Sequence, residues 1–302
     1  MKKIVALGTL REDVVIKYDF SVPMKEMEVK LNKLDKIVGG SVNNTCYYLA
    51  LKDSKLQVVL CTLNYIDLVR MLKKRMNCVN YRISTTQEAL LQYPLSFIGL
   101  RENGEKQMIS YDPIIDDSLL IDLLKKDVID AEVLYTSFYE INNRNYSKIA
   151  TIFNKVIGSG KTIMVDLCPT LNRLSDVAIK EILSNTRVVS GNENEFKMMM
   201  KMLGQGGITD VFLEFPTIER IYVKKGKSGA SLYINDKQEK IDEIHIDAVV
   251  NDVVKNTTGC GDVFNAVIIE GMINTKDYQK TLECAIKESG KIAEGGLPWI
   301  KE

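Results

Sequence analysis

The second half of the chain repeats one pattern, in which a short apolar run precedes a longer segment with apolar residues at helical spacing. The runs AEVLYTSF, KTIMVDLC and RVVSGN each come before such an amphipathic segment. Continuous apolar runs predict strands that are buried on both faces. Their alternation with helices predicts an α/β fold, a mostly parallel central sheet with helices on both faces. Because ligands bind at the carboxyl ends of such strands, functional residues are expected in the loops that follow them.

The first half adds a second pattern. The runs KIVALGTL and LQVVLCTL again predict buried strands, whereas DVVIKYDF and MEVKLNKLDKIV alternate apolar and polar residues. The segment YPLSFIGLRENGEKQMISYD predicts a hairpin that turns at 102–105. Alternation at period two is typical of strands with one solvent-facing side. We therefore expect a single domain over residues 1–302, in which the alternating strands form a separate flap.

Composition narrows the class of protein. The chain has 302 residues, of which 45% are hydrophobic and 26% charged, as in one large globular α/β unit. Forty basic residues balance forty acidic ones, so no net field attracts nucleic acid or anionic lipid. No apolar run reaches the roughly 18 residues that span a bilayer. The six cysteines are scattered without a C-x-x-C pair, which favours reduced thiols and a cytoplasmic protein.

The chain contains one histidine, His245, within the alternating segment EIHIDAVV. This pattern predicts a half-buried position in a strand. Nucleophilic catalysis by a Ser–His or Cys–His pair and histidine-ligated zinc chemistry each need histidines that this chain does not offer. Acid–base chemistry is therefore expected to fall to carboxylates, lysine or tyrosine.

The stretch NTTGCGDVFNA, residues 256–266, predicts a turn that leads into a helix. Gly259 and Gly261 permit backbone conformations that are closed to other residues, and apolar residues recur at helical spacing from Val263 onward. A helix N-terminus presents unpaired N–H groups and partial positive charge, which suit a phosphate. Asp262 stands at its mouth, where a carboxylate serves either chemistry or ordinary capping.

Three stretches together resemble, in order and spacing, the ribokinase-like (PfkB) family of sugar and nucleoside kinases. They are GGSVNN at 39–44, NENE at 192–195 and TTGCGD at 257–262. The resemblance covers nearly the whole chain. It implies a ribokinase-like fold in which the flap is a small β-strand lid, built from segments at about 13–38 and 90–111. It also implies phosphoryl transfer from ATP, with Mg²⁺, to a primary hydroxyl of a sugar or nucleoside.

The third stretch ends on the residue that the family uses as the base for the accepting hydroxyl, which implies that role for Asp262. The backbone N–H groups of Gly259, Cys260 and Gly261 would form an anion hole for the transferred phosphoryl group. Phosphoryl transfer depends on positioning and charge neutralisation more than on covalent help. An ionised Asp262 would orient the hydroxyl and accept its proton as the new bond to phosphorus forms.

The segment VKKGKSGA resembles the part of the family that lies beside the nucleotide phosphates. Gly226 and Gly229 match that pattern, and Lys224 stands where the family usually has threonine. The Lys224 ammonium would either contact phosphate or point into solvent, and we expect the contact; we assign Thr258 to the nucleotide as well. The resemblance thus places the ATP contacts on two separate stretches of chain.

Asn192 and Glu195 match the family's N-x-x-E motif, which implies that they position Mg²⁺ and the phosphates largely through water. A hard cation that keeps its waters suits such a sparse set of oxygen ligands. The same spacing also fits a capping box, in which Asn192 caps a helix and Glu195 closes the box. Both interpretations remain open on the sequence.

The resemblance also implies a set of residues for the acceptor. Asp13, in GTLRED, matches a residue that binds substrate hydroxyls. Gly39 and Gly40 would allow close approach of the backbone, and Asn44 matches the family's substrate-binding asparagine. Glu140, after LYTSFY, falls where some sugar kinases place a glutamate on the sugar. A closed lid would exclude water that competes for the phosphoryl group.

The choice of acceptor stays open between a sugar and a nucleoside. Tyr47, Tyr48 and Phe138 would suit stacking on a base, although core packing is the simpler explanation for them. A relative that only binds a sugar or nucleotide is a third alternative, against which the retained Asp262 and its glycines argue. Asn256 replaces the aspartate that opens the family's motif, so activation by potassium is not expected. The exposed edges of the lid predict a homodimer.

Overall fold

The computed structural model describes residues 1–16, 34–63, 65–72, 77–100, 106–113, 117–235, 241–248, 254, 257–275 and 277–295. Within these residues, nine strands form one large sheet: β1 (Lys2–Leu7), β4 (Leu56–Leu63), β5 (Asn80–Ser84), β8 (Val133–Ser137), β9 (Thr162–Asp166), β10 (Val188–Asn192), β11 (Arg220–Lys224), β12 (Ala230–Asn235) and β13 (Ile241–Ile246). Four others form a small sheet: β2 (Arg11–Ile16), β3 (Asp35–Gly39), β6 (Leu95–Leu100) and β7 (Lys106–Tyr111).

The helices follow the strands as the alternating pattern predicts. The longer ones are α1 (Ser41–Lys52), α4 (Ser118–Asp127), α5 (Tyr146–Gly158), α6 (Asp176–Leu183), α7 (Glu193–Leu203), α9 (Cys260–Asn274) and α10 (Tyr278–Gly295). Three are short: α2 (Ile66–Met71), α3 (Gln87–Leu91) and α8 (Ile208–Glu214). No helix among the described residues is long and apolar enough to cross a membrane.

The large sheet runs in the order β13-β12-β11-β10-β9-β8-β1-β4-β5. Neighbouring strands from β11 through to β5 pair in parallel. The β11–β12 and β12–β13 pairs are antiparallel. Ile4, Val5 and Ala6 of β1 are completely buried, as expected for a strand with helices on both faces. The predicted α/β class is confirmed. The parallel strands all present their carboxyl ends at one edge, where loops from distant parts of the chain meet.

The small sheet has the order β3-β2-β6-β7 and confirms that the alternating strands form a separate flap. Phe97 pairs with Ile109 and both side chains are exposed, whereas the neighbouring Ser96 on the other face is buried. At Phe97 one face of β6 is therefore open to solvent and the other is buried, whereas both faces of the edge strand β7 are exposed at Met108 and Ile109. Residues 17–33 and the predicted hairpin turn at 102–105 lie outside the described residues.

One detail of the prediction is wrong. Residues 90 and 91 belong to helix α3 rather than to a lid strand, because the Thr86 hydroxyl accepts the Ala89 N–H and so opens a helical turn. His245 lies in strand β13 at the edge of the large sheet, and its side chain is 38% exposed, in agreement with the half-buried strand position that the sequence predicts.

Candidate active site

Helix α9 begins at the carboxyl edge of the large sheet. Its N-cap is Gly259, whose φ of 83° lies in the left-handed region that favours glycine. Cys260 is the first helical residue, which makes Asp262 the third rather than the cap. The start of a helix carries partial positive charge and presents backbone N–H groups, so it is suited to bind an anion, although the Cys260 N–H here also donates to the Thr257 carbonyl oxygen at 3.3 Å.

The Asp262 carboxylate is held by side chains from helix α1. The Ser41 hydroxyl donates to Oδ1 at 2.7 Å, and the Asn44 amide donates to Oδ2 at 3.0 Å. The Thr45 hydroxyl donates to the Asp262 carbonyl oxygen at 3.2 Å. These contacts join α1 to α9 and hold the Asp262 side chain in place. Asp262 is not the N-cap of α9, as the capping alternative would require. Asn44, predicted as an acceptor ligand, here contacts the predicted base, and Ser41 is a partner that the sequence analysis missed.

A buried network of polar side chains lies behind this pair of helices. Ser190 of β10 donates to the Asn265 Oδ1 atom at 2.7 Å, and the Asn265 amide donates to the Tyr135 hydroxyl at 3.2 Å. The Tyr135 hydroxyl lies 3.4 Å from that of Thr45. All four residues are fully buried, and desolvation raises the pKa of Tyr135, which keeps its hydroxyl neutral. The network fixes α9 and α1 against β8 and β10.

The acceptor loop, as we call Gly39 and Gly40 because the resemblance implies that they contact the acceptor, depends on its two glycines. Gly40 has a φ of 100°, and a Cβ there would overlap the Thr9 carbonyl oxygen. A Cβ at Gly39 would overlap the Asp13 carboxylate. Asp13 therefore packs directly on the backbone at Gly39, which it reaches from the neighbouring strand of the small sheet. The structure brings these predicted residues together with Asn44, which lies one helical turn further along.

Glu140 borders a cavity of about 280 Å³. Its carboxylate accepts a hydrogen bond from the Thr9 hydroxyl, and Thr9 also contacts Gly40 of the acceptor loop. Burial raises the Glu140 pKa to about 7. About half of the other lining residues are apolar or aromatic, including Tyr65 and Tyr139, and the polar ones include Asp112, Asp117, Asn142, Asn143, Arg144, Asn145 and Arg173. Amide and carboxylate groups of this kind are suited to bind the hydroxyls of a small polar molecule.

On the other side of α9, the Lys224 Nζ atom lies 2.7 Å from the Asp166 Oδ1 atom. A methyl group at Gly261 would be 3.6 Å from the same Nζ, so the ammonium lies beside the first turn of α9. The sequence analysis missed Asp166, although its place at the end of the apolar run KTIMVD was the available signal.

The other residues assigned to the nucleotide also lie on this side. Gly226 and Gly229 have φ of 57° and 79°, and a Cβ at Gly229 would overlap the Ile246 carbonyl oxygen. The backbone at both positions therefore requires glycine. Thr258 is buried immediately before the turn at Gly259.

Asn192 and Glu195 form a capping box at the start of α7. The Asn192 side chain accepts the Glu195 N–H at 2.9 Å, and the Glu195 carboxylate accepts the Asn192 N–H at 2.7 Å. The capping alternative thus describes their observed contacts. Within the described residues, no group of three His, Cys, Asp or Glu side chains is placed to hold a metal. The described side chains therefore do not form a metal site made of protein ligands alone. A cation that is held mainly by phosphates and water needs only a few oxygen atoms from the protein, such as those of Asn192 and Glu195.

Three aromatic residues considered for stacking on a base have structural positions. Tyr47 and Phe138 belong to the buried core, and the Tyr48 hydroxyl donates to Glu288 at 2.9 Å. Core packing therefore explains the two buried rings. Asn256, the departure related to potassium, lies outside the described residues.

A helix N-terminus at the carboxyl edge of a parallel sheet, next to a small sheet that supplies polar residues, defines a kinase of the ribokinase-like class. The family model of the pfkB carbohydrate kinases matches residues 1–292, and the chain belongs to that family. It is a carbohydrate or nucleoside kinase by this membership. No curated protein matches the chain.

Solved structures of low sequence identity share the fold. Ribokinase from Thermotoga maritima is 18% identical with a TM-score of 0.73, covering 97% of this chain and 92% of its own. The nucleoside kinase of Methanocaldococcus jannaschii is 16% identical with a TM-score of 0.71, covering 100% and 96%. A probable sugar kinase from Rhizobium etli CFN 42 is 16% identical with a TM-score of 0.76, covering 97% and 93%.

Proposed function

We propose that the protein transfers the terminal phosphoryl group of ATP to a primary hydroxyl of a sugar or nucleoside, with Asp262 as the proton acceptor. The observation that carries this proposal is the position of Asp262. It lies in the first turn of α9, beside the N–H groups that would bind the phosphoryl group, and is bound by Ser41 and Asn44 of helix α1. A carboxylate held at the junction of a phosphate site and an acceptor site is placed to receive the proton of the attacking hydroxyl.

The remaining residues take roles on either side of that carboxylate. The backbone at Gly259, Cys260 and Gly261 would hold the transferred group, and Lys224 would add a positive charge beside it. Gly226, Gly229 and Thr258 complete the proposed nucleotide contacts. Mg²⁺, when bound with ATP, would neutralise phosphate charge, and Asn192 and Glu195 would hold its water shell. Asp13, Gly39, Gly40 and Glu140 would bind the acceptor.

Among acceptors, the choice between a sugar and a nucleoside stays open. The buried Tyr47 and Phe138 do not provide a stacking surface, but the cavity beside Glu140 is lined both by amides and carboxylates and by the rings of Tyr65 and Tyr139. Amides and carboxylates bind hydroxyls, whereas a base is usually held between flat apolar faces. The ribokinase and nucleoside kinase neighbours keep both acceptor types in the test.

The test is an assay of purified protein with ATP and Mg²⁺ against a panel of monosaccharides and nucleosides. Phosphorylated product is identified by mass spectrometry. We expect at least one sugar or nucleoside to give a product whose formation stops when EDTA is added. ATP binding without turnover on any member of the panel would instead support a relative that only binds its ligand.

We also propose a homodimer formed through the small sheet. Phe97, Ile109 and Tyr111 share one face of this sheet and are 42%, 59% and 52% exposed. A contiguous exposed apolar face of this kind is uncommon on a monomer.

The cytoplasmic location expected from the sequence is supported by the six cysteines, all of which are free thiols.

A further inference from the structure

An ion pair spans three neighbouring strands at the carboxyl edge of the large sheet. Asp166 ends β9 and Lys224 ends β11, with β10 between them. Their charged atoms are 2.7 Å apart, and the side chains are only 9% and 17% exposed. A flexible lysine is thereby tied across β10 to a short carboxylate at a strand end.

The position of the ammonium is electrostatically unfavourable without an anion. It lies beside Gly261, in the first turn of α9, where the partial charge of the helix is positive. Lysines are normally favoured at the other end of a helix. Asp166 opposes this repulsion, and a phosphate bound to the helix N-terminus would add a second negative charge beside the ammonium.

An ammonium has three N–H donors, and the hydrogen bond to Asp166 uses one of them. The lysine side chain is long and has considerable rotamer freedom, so an untethered ammonium would have to be ordered at each catalytic event. A tether to a strand end fixes where the charge lies while leaving donors for a ligand.

We propose that Asp166 is a positioning residue that holds the Lys224 ammonium against the terminal phosphate of the donor. The proposal rests on the function proposed above. Asp166 acts only through Lys224, and it neither contacts the phosphate nor takes the proton. Because the bond to phosphate must be maintained as charge moves in the transition state, a fixed ammonium is expected to affect turnover more than donor affinity.

The anchoring itself is tested without any enzymatic reaction. Lysines are converted to ¹³C-dimethyl-lysine, which keeps the charge and one N–H donor, and are observed by NMR. The signal that disappears in Lys224→Met is Lys224. It should be shifted from the exposed lysines in the wild type, move toward them in Asp166→Asn, and stay in place in the control Lys225→Met. An unchanged Lys224 signal in Asp166→Asn would overturn the tether.

Binding of tripolyphosphate in EDTA, followed by calorimetry, tests whether the ammonium faces the phosphate site. Lys224→Met should weaken binding on the order of tenfold, as expected for the loss of a charge-assisted contact. The control Lys225→Met should change it less than about twofold, because Lys225 lies beside Glu243, at 4.0 Å. Asp166→Asn should leave binding equal or tighter, since a nearby negative charge is removed. Equal binding by Lys224→Met and the control would overturn the phosphate contact.

Kinetics then separate positioning from other roles. Asp166→Asn should lower kcat on the order of tenfold in the wild-type background and less than about twofold in Lys224→Met, because coupled residues are not additive. An equal loss in both backgrounds, or a several-fold rise in the Mg²⁺ concentration needed for half activation, would overturn the proposal in favour of an independent or metal-binding role. If no acceptor is phosphorylated, the function proposed above fails, while the NMR and calorimetric measurements still decide the tether and the phosphate contact.

Discussion

The donor side and the acceptor side of the site are built on different parts of the molecule. The donor side is made from strand ends of the large sheet and the start of α9, supported by the buried network of Ser190, Asn265, Tyr135 and Thr45. The acceptor side takes Asp13 and Gly39 from the small sheet, which has one face exposed. In the proposed function, phosphoryl transfer thus lies on a doubly covered core, and acceptor recognition on an element that can differ without disturbing that core.

Asp262 is where the two sides meet, so its replacement should have the largest effect. Asp262→Asn keeps the shape and hydrogen-bonding capacity of the side chain but removes the proton acceptor. Turnover with the best acceptor should fall by a factor on the order of 10² to 10⁴. ATP affinity, measured by calorimetry, should hardly change or tighten slightly, because the anion hole is backbone. A variant that retains most of its turnover would exclude Asp262 as the base.

A substitution confined to the acceptor side should leave the donor side intact. A Cβ at Gly39 would overlap the Asp13 carboxylate, so Gly39→Ala should displace it from its predicted contact with the acceptor. Small misplacements of a binding group reduce rate substantially. We expect kcat/KM for the acceptor to fall roughly 10- to 100-fold, with calorimetric ATP affinity unchanged.

The matched control is Gly158→Ala in helix α5, where a Cβ would meet nothing within 4 Å. This variant should keep the activity of the wild type. If Gly39→Ala weakened ATP binding and acceptor use equally, the two sides would not be separable as described here.

The sequence predicts features that depend on local patterns better than features that depend on contacts between distant residues. The α/β class, the flap and the α9 turn follow from local patterns, because apolar runs and glycines determine their own backbone. Side-chain partners across the chain do not follow in this way. Asp166 and Lys224 are 58 residues apart, and Ser41 and Asp262 are 221 apart, so only the folded structure shows that the members of each pair touch. Asn192 and Glu195 illustrate the limit, since one spacing fits both capping and metal positioning.

Glu140 provides a pH probe of the acceptor side. Its pKa is raised by burial from 4.5 to about 7, so the folded protein binds this proton more tightly than the unfolded chain does. The stabilisation is fully present below about pH 4.5 and is lost as the pH rises through 7. Over that window the wild type should lose at most about 3 kcal/mol of stability through this group.

Glu140→Gln removes the titration and keeps an acceptor for the Thr9 hydroxyl. Thermal unfolding at pH 5 and pH 8 should therefore show a smaller drop in Tm for the variant than for the wild type. Parallel Tm changes in both proteins would show that Glu140 does not titrate in this range.

We expect the smallest effect on turnover from a substitution on the exposed face of the small sheet, because the donor side is built from the large sheet and α9. Phe97, Ile109 and Tyr111 form the apolar surface through which we expect two copies to associate. Ile109→Lys places a charge on that surface, and a buried unpaired charge in the interface would be costly. Light scattering at high micromolar concentration should give a dimer for the wild type and a monomer for the variant. Turnover per chain should change less than about twofold, because Asp13 faces away from this surface and the base lies on α9.

The control is Leu213→Lys, at another apolar position that is 76% exposed on α8, and this variant should remain dimeric. A wild-type protein that is monomeric at this concentration would contradict the interface, and an unchanged dimer in Ile109→Lys would place it elsewhere on the molecule.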